Sequence, residues 1–234
     1  MRACLDETAL DWELVVADDG SEDDTRTVVE ELARRDGRVR LVGGPHRGKG
    51  AAVRRGMLDA RGAWRFMADA DLSMPPDNLH RFLAVTRRTV VPDVAIGSRE
   101  APGSQWIGEP WRRHVFGRAF NILVRLLAVP GVQDTQCGFK LFSAEVAEAL
   151  FPHARIQGFA FDVEMLFLAR RAGFDVREVG ITWYCRVESR VTARRGAAAF
   201  VDILLVRWNA WRGRYSGLRS ADTSSGSKLH RARC

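Results

Sequence analysis

Apolar runs that each close on an acid, a glycine or a serine, with helical spacing between them, set the architecture of this chain. "ELVVA", residues 13–17, runs into "DDGSEDD"; "RVRLV", 38–42, runs into "GGPHRG"; "WRFMA", 64–68, runs into D-A-D; and "VPDVAIGSR" spans 91–99. Between them, residues 24–35 place Val28, Val29 and Leu32 on one helical face, and "KGAAVRRGMLDA" is a helix that Gly62 can stop. "PPDNLHRFLAVTRR" opens on prolines, whose missing N–H groups cost least at a helix N-terminus. Strand–helix–strand alternation implies βαβ crossovers, a parallel α/β sheet, and ligands at the C-terminal ends of the strands.

After residue 100 the pattern changes. "APGSQWIGEP" reads as a loop, residues 111–129 as a long amphipathic helix, and "GVQDTQCGFKLFS" as a loop ending in a short strand. "FDVEMLFLARRAG" reads as a helix, "DVREVGITWYCRV" as a strand, and residues 194–214 as a final amphipathic helix. With 234 residues and 46% hydrophobic content, one domain over residues 1–215 can bury a sizeable core. Residues 216–234 are polar, Ser-rich and basic, and are expected to be disordered.

The formal net charge of +7 suits anionic partners such as nucleotides, phosphates or acidic lipid surfaces. No nucleic-acid reader motif is present, so nucleic acid is not an expected partner. Cys4, Cys137, Cys185 and Cys234 lie far apart without a CxxC pair, which argues against a zinc site or a disulfide framework. No signal-peptide pattern is visible, and a reducing cytosol is the expected compartment. The longest apolar stretch, 197–206, contains Asp202 and is too short for a bilayer, which needs about 20 residues.

Three motifs could carry chemistry. Gly43, Gly48 and Lys49 fit G-x-x-x-x-G-K, but Gly50 stands where a P-loop needs a hydroxyl for magnesium. Free N–H groups at that helix start, with Lys49, could still hold a diphosphate. Asp18 and Asp19 end a strand where α/β sheets bind ligands, and could accept from a nucleobase edge or a ribose hydroxyl. Capping explains Asp23 or Asp24 but not this pair. In D-A-D, alternation turns Asp69 and Asp71 to one side, where they repel unless a cation lies between them or both are solvated. Mg2+ or Mn2+, with oxygen ligands and substrate phosphates, fits such a tip. D-x-D alone is a weak motif. Its place at a strand end, near a second acidic strand end and a helix start, favours the metal.

"VVADDGSEDDT", "HRGKGAAVRRGM", "MADADLSMPP", "IGSR", "DTQCGFKLF" and "FAFDVEMLFLAR" occur in the order found in family 2 glycosyltransferases. They resemble most the dolichyl- or polyprenyl-phosphate glucosyltransferase branch, over about residues 12–210. The resemblance implies a GT-A-type, Rossmann-like, mostly parallel sheet flanked by helices. It implies Asp18 and Asp19 at the nucleoside and Lys49 near the donor pocket. Asp69, with Ala70, would lie at the ribose or base side, and Asp71 on the metal-diphosphate, so that Asp71 and Asp69 are the metal ligands. Ser98, Arg99 and Arg113 resemble residues that grip the acceptor's lipid phosphate. Residues 134–140 would floor the site, and Asp134 matches the position nearest to a catalytic acid or base. Ser189 and Arg190 align with a W-x-x-x-x-G-S-K tract, in which Glu188 replaces the glycine.

The implied reaction is an inverting transfer from UDP-glucose to a polyprenyl phosphate, giving a β-linked lipid-phosphate sugar and needing Mg2+ or Mn2+. Arg99 and Arg113 suit the acceptor because guanidinium forks match phosphate oxygens. The alternatives are a GDP-mannose-dependent mannosyltransferase, a P-loop-like nucleotide-binding protein, or an inactive remnant. The protein is expected to sit peripherally on the cytoplasmic membrane face, with Trp208, Trp211, Arg212 and Arg214 at the lipid interface. The family's first strand is missing ahead of residue 12, an absence expected to leave a central slot in the sheet and a poorly stable chain. A misassigned start codon is the favoured explanation and a truncated gene the other.

Overall fold

The computed structural model describes residues 1–71, 73–108, 124, 128–184 and 193–218, with only the backbone for 193–200. A short helix α1 (Arg2–Asp6) precedes β1 (Leu14–Asp18), α2 (Thr25–Arg35), β2 (Val39–Gly43), α3 (Lys49–Asp59) and β3 (Trp64–Met67). Then come α4 (Asn78–Thr86), β4 (Val94–Ser98), β5 (Gln105–Ile107), β6 (Lys140–Ser143) and α5 (Ala144–Leu150). A 3-10 turn (Phe151–His153) leads to α6 (Phe161–Arg171), β7 (Val176–Gly180), β8 (Thr182–Tyr184) and α7 (Ala193–Trp211).

The main sheet has the order β3-β6-β4-β7. β7 runs parallel to β4, whereas β6 is antiparallel to both of its neighbours. That reversal matters for function. Lys140, the first residue of β6, pairs with Met67 at the end of β3 and with Ile96 near the end of β4. The loop entering β6 therefore meets the loops leaving β3 and β4. Helices cover both faces. Phe142, Val94, Ile96, Leu166 and Ile203 share the cluster under α5, α6 and α7. On the other face Phe66 meets the Phe82 and Phe139 rings edge-on, at 5.0 and 5.1 Å.

The expected continuous sheet is divided. β1 pairs in parallel with β2, β5 with β8, and no ladder joins β1 to β3 among the described residues. Glu13 bridges the break instead, accepting from Arg61 N at 2.5 Å and Gly62 N at 3.3 Å. Strands of a parallel sheet are normally buried on both faces, yet Leu14 through Ala17 are only half-buried. α2 buries no residue, and Val28 is 61% exposed, so its apolar face lacks the cover its spacing implies.

Other elements depart from expectation for local reasons. The prolines at 75 and 76 do not open α4. They form the preceding turn, where Pro75 and Pro76 carbonyls accept from Asn78 N at 3.1 Å and Leu79 N at 2.8 Å. The predicted strand 175–187 splits at Gly180, because the chain at Pro102 crosses there. A Cβ on Gly180 would lie 2.4 Å from the Pro102 carbonyl oxygen. The split lets β8 pair with β5, a three-residue strand inside what reads as a loop. α5 was not anticipated, although Ser143 caps it by accepting from Val146 N at 3.3 Å. Among the described residues, no helix is long and apolar enough to cross a membrane.

Candidate active site

Asp69 lies two residues beyond the end of β3, and one of its oxygens, Oδ1, carries the Lys49 ammonium at 2.7 Å. The other, Oδ2, rests on the backbone of Gly138. A Cβ at that position would stand 2.1 Å away, so only glycine admits the carboxylate. Ala70 lies in the turn between the two acids, and Asp71 Oδ1 accepts from Ser73 N at 2.9 Å. Burial pulls the pKa of Lys49 down, but Asp162, Asp69 and Asp71 outweigh it and hold the ammonium above its ordinary value. Asp69 is thus already paired with a cation of the chain itself. Two carboxylates at a strand tip suit Mg2+ or Mn2+, which bind through one or two carboxylates plus substrate phosphates. Among the described residues no third His, Cys, Asp or Glu joins them.

Asp18 and Asp19 end β1 and continue past it, and both are engaged by backbone. Asp18 is buried and accepts from Gly20 N at 3.2 Å and Ser21 N at 3.1 Å, and Ser21's hydrogen bonds hold its pKa below the usual range. Asp19 reaches the next loop, taking Arg47 N at 3.0 Å and Gly48 N at 2.8 Å. Gly50 N donates to the Gln157 carbonyl at 2.7 Å. The expectation of free N–H groups at this helix start is therefore corrected, because the chain's own acceptors take those of residues 47, 48 and 50. The P-loop alternative falls with it. A side chain at position 50 would meet the Ile156 carbonyl at 2.5 Å and the Phe161 Cβ at 2.7 Å, so no serine or threonine fits.

On the acceptor side, Asp134 is 1% exposed and gripped by Arg99. Arg99 Nε donates to Oδ2 at 2.7 Å, Nη2 to Oδ1 at 2.9 Å, and its backbone N–H to Oδ2 at 3.1 Å. Burial raises the Asp134 pKa, yet the Arg99 charge and hydrogen bonds win and keep it below the ordinary value. A carboxylate so held accepts a proton less readily than a free one. Arg99 also lies 5.5 Å from the centroids of the Trp106 and Trp183 rings. Ser98 is fully buried. Its hydroxyl accepts from Glu100 N at 3.2 Å, so it shapes the turn that aims Arg99 and does not face a ligand. Arg113, Ser189, Arg190 and most of the 111–129 helix lie outside the described residues. Cys137 is buried, and its thiol is pushed up to about 12, first by burial and then by Asp134, as suits a packing residue and not a nucleophile.

A sequence model of glycosyl transferase family 2 matches residues 1–151. This chain belongs to that family. The dolichyl-phosphate beta-glucosyltransferase of Drosophila melanogaster is 38% identical over 182 residues, covering 74% of this chain and 55% of the relative. The protein of the same name from Dictyostelium discoideum is 36% identical over 179 residues, with the same shares. The one from Homo sapiens is 34% identical over 183 residues, covering 75% and 56%. The chain thus spans about half the length of the curated relatives it matches. Its fold is that of the GT-A glycosyltransferases. Glucosyl-3-phosphoglycerate synthase from Mycobacterium tuberculosis, solved with Mn2+, uridine diphosphate and phosphoglyceric acid, superposes with a TM-score of 0.59 at 20% identity, covering 90% of this chain and 69% of that one.

Within this family 2 chain, sequence reasoning missed Asp162. It lies in the first turn of α6, 3% exposed, and Lys140, itself fully buried, donates to its Oδ1 at 2.5 Å. Burial pushes the Asp162 pKa up, and Lys140 and Lys49 pull against it. The signal was present: two acids in "FDVEMLFLA", a helix segment that is buried on every side. The second acid, Glu164, takes Ile156 N at 2.9 Å and the Tyr215 hydroxyl at 2.6 Å, and so ties the end of α7 down.

Proposed function

We propose that this chain transfers glucose from UDP-glucose to a polyprenyl phosphate of the dolichyl type, with inversion at the anomeric carbon. The observation that carries the reading is the contact between Asp69 and Gly138, which joins the D-A-D tip to the 134–140 loop. Relatives above 30% identity that bear the name dolichyl-phosphate beta-glucosyltransferase support the acceptor and the sugar. The nucleotide is the finer part of the reading, and a GDP-mannose donor is its alternative.

The acceptor phosphate is anionic at neutral pH, so its oxygen attacks the anomeric carbon without losing a proton to the protein. The sugar–diphosphate bond breaks on the opposite side, and the leaving group gathers negative charge. Asp69 and Asp71 would hold a divalent ion against the donor phosphates, and that ion would neutralise part of the charge. Lys49, paired with Asp69, adds a positive charge there. Arg99, fixed by Asp134 and backed by Trp106 and Trp183, places a guanidinium charge on the acceptor side. Holding both reactants in line supplies much of the acceleration.

The lipid acceptor implies a membrane surface. In the reading proposed here it is the cytoplasmic face, with the protein held peripherally. The outer face of α7 supports this. Val201, Leu204, Leu205, Trp208 and Trp211 are exposed on one stripe while Ile203 and Val206 pack into the core. Arg212 lies 4.8 Å over the Trp208 ring. The test is a transfer assay on detergent-dispersed polyprenyl phosphate, with UDP-glucose and GDP-mannose in parallel, each with and without Mg2+ or Mn2+. Metal-dependent glucolipid from UDP-glucose is expected. Mannolipid alone overturns the donor, and no glycolipid with either donor overturns the reading.

A further inference from the structure

We propose that Asp162 is a positioning residue for the D-A-D tip, holding Lys140 and through it fixing where Asp69 presents its carboxylate. The inference rests on the reading of Asp69 as a donor- and cation-binding residue.

Asp162 and Lys140 are too buried to touch a substrate. Stability alone is a weak reason for such a pair, since apolar replacements of similar volume are often neutral or stabilising. What the pair touches gives a better reason. Lys140 divides its ammonium between Asp162 Oδ1 and the carbonyl oxygen of Cys137. That carbonyl belongs to the peptide entering Gly138, the residue on which Asp69 Oδ2 rests. The other oxygen, Oδ1, takes Lys49 at 2.7 Å. A route therefore runs from Asp162 through Lys140 and the Gly138 backbone to Asp69 Oδ2.

Removing the charge at Asp162 leaves the buried Lys140 ammonium without its counter-ion. Lys140 then loses the position from which it holds the Cys137 carbonyl, and the Gly138 backbone under Asp69 Oδ2 loses its reference.

The experiment measures Mn2+ binding to the full chain by the paramagnetic resonance signal of the free ion, with and without UDP. Asp69→Asn marks loss of the site. Asp162→Asn keeps the size and an acceptor oxygen for Lys140 but removes the charge. It is expected to weaken Mn2+ binding about 10- to 100-fold, the usual effect of losing a residue that orients a ligand. A second variant, Asp162→Leu with Lys140→Met, replaces the pair by apolar groups. It is expected to melt at or above the wild-type temperature and still to bind Mn2+ as weakly as Asp162→Asn. Wild-type affinity in either folded variant overturns the inference and leaves the proposed function standing. No Mn2+ binding by the wild-type chain with UDP overturns both.

Discussion

Gly138→Ala separates the chemistry of the site from its stability. The new Cβ would stand 2.1 Å from Asp69 Oδ2, 2.5 Å from its Cγ and 3.0 Å from its Oδ1. The obstacle is a side chain and not backbone, so the carboxylate can turn away and the fold survives. What breaks is the Asp69–Lys49 pair, whose side chains are 26% and 24% exposed. At that exposure the pair contributes no more than about 1 kcal/mol, and the melting temperature should fall by no more than about 4 °C. The site has less tolerance. To restore ordinary contact the carboxylate must withdraw by about 1.3 Å, and a misplacement of ~1 Å at reacting groups costs roughly 100-fold in rate. That loss corresponds to about 2.7 kcal/mol in the barrier. The assay is kcat/KM for the donor at saturating acceptor, titrated with Mn2+, beside a thermal melt. Full activity in the folded variant refutes the idea that Asp69 must rest on this glycine. A melting temperature lower by 10 °C or more, against the ~4 °C ceiling, refutes the stability side of the argument.

Asp134→Asn should lower stability at neutral pH, because it loses the charge that Arg99 grips. The wild-type pKa is depressed in the folded state, so its contribution is present above the unfolded value of 3.8 and is lost as pH falls through the folded one. The wild-type and Asn variants should therefore converge in urea titrations below that range, and a gap independent of pH sinks the assignment. Replacing Trp208 and Trp211 by serine should weaken sedimentation with vesicles containing phosphatidylglycerol by about tenfold or more, from lost apolar burial. Unchanged sedimentation by the folded variant removes α7 from the interface.

Much of the site was legible because apolar runs end abruptly. β1 stops at an acid and β3 just short of one, and an acid at a strand tip has few structural duties. What the sequence could not show is which donors lie across from each acid. Asp19 faces Arg47 and Gly48, nearly thirty residues on in the sequence, and nothing local marks that it anchors their loop. Asp162 escaped notice because an acid in a helix reads as a solvated face until its neighbours are known to be buried on all sides. β5 escaped because three residues carry no period, and its partner is far away in the chain, Gln105 opposite Thr182. α2 shows the converse failure. Its spacing is a good helix signal, but the pattern cannot say whether the surface it should cover is present.

The reversed strand explains why donor and acceptor motifs far apart in sequence share one site. In a purely parallel sheet every loop at the C-terminal edge leaves a strand, and the chain then departs through a helix. β6 does the opposite, entering the sheet at that edge between β3 and β4. Its entry loop, residues 134–140, is therefore fixed at the tips of two strands at once, through Met67↔Lys140 and Ile96↔Lys140. From there Gly138 can back Asp69 beyond β3, and Asp134 can seize Arg99 beyond β4. A single lysine at the first position of β6 then needs a buried counter-ion on the helix side of the sheet, and α6 supplies it in Asp162. The same reversal that admits the loop thus creates the demand for the charge beneath it. On this argument the pair Lys140–Asp162 belongs to the site's geometry more than to the core's stability.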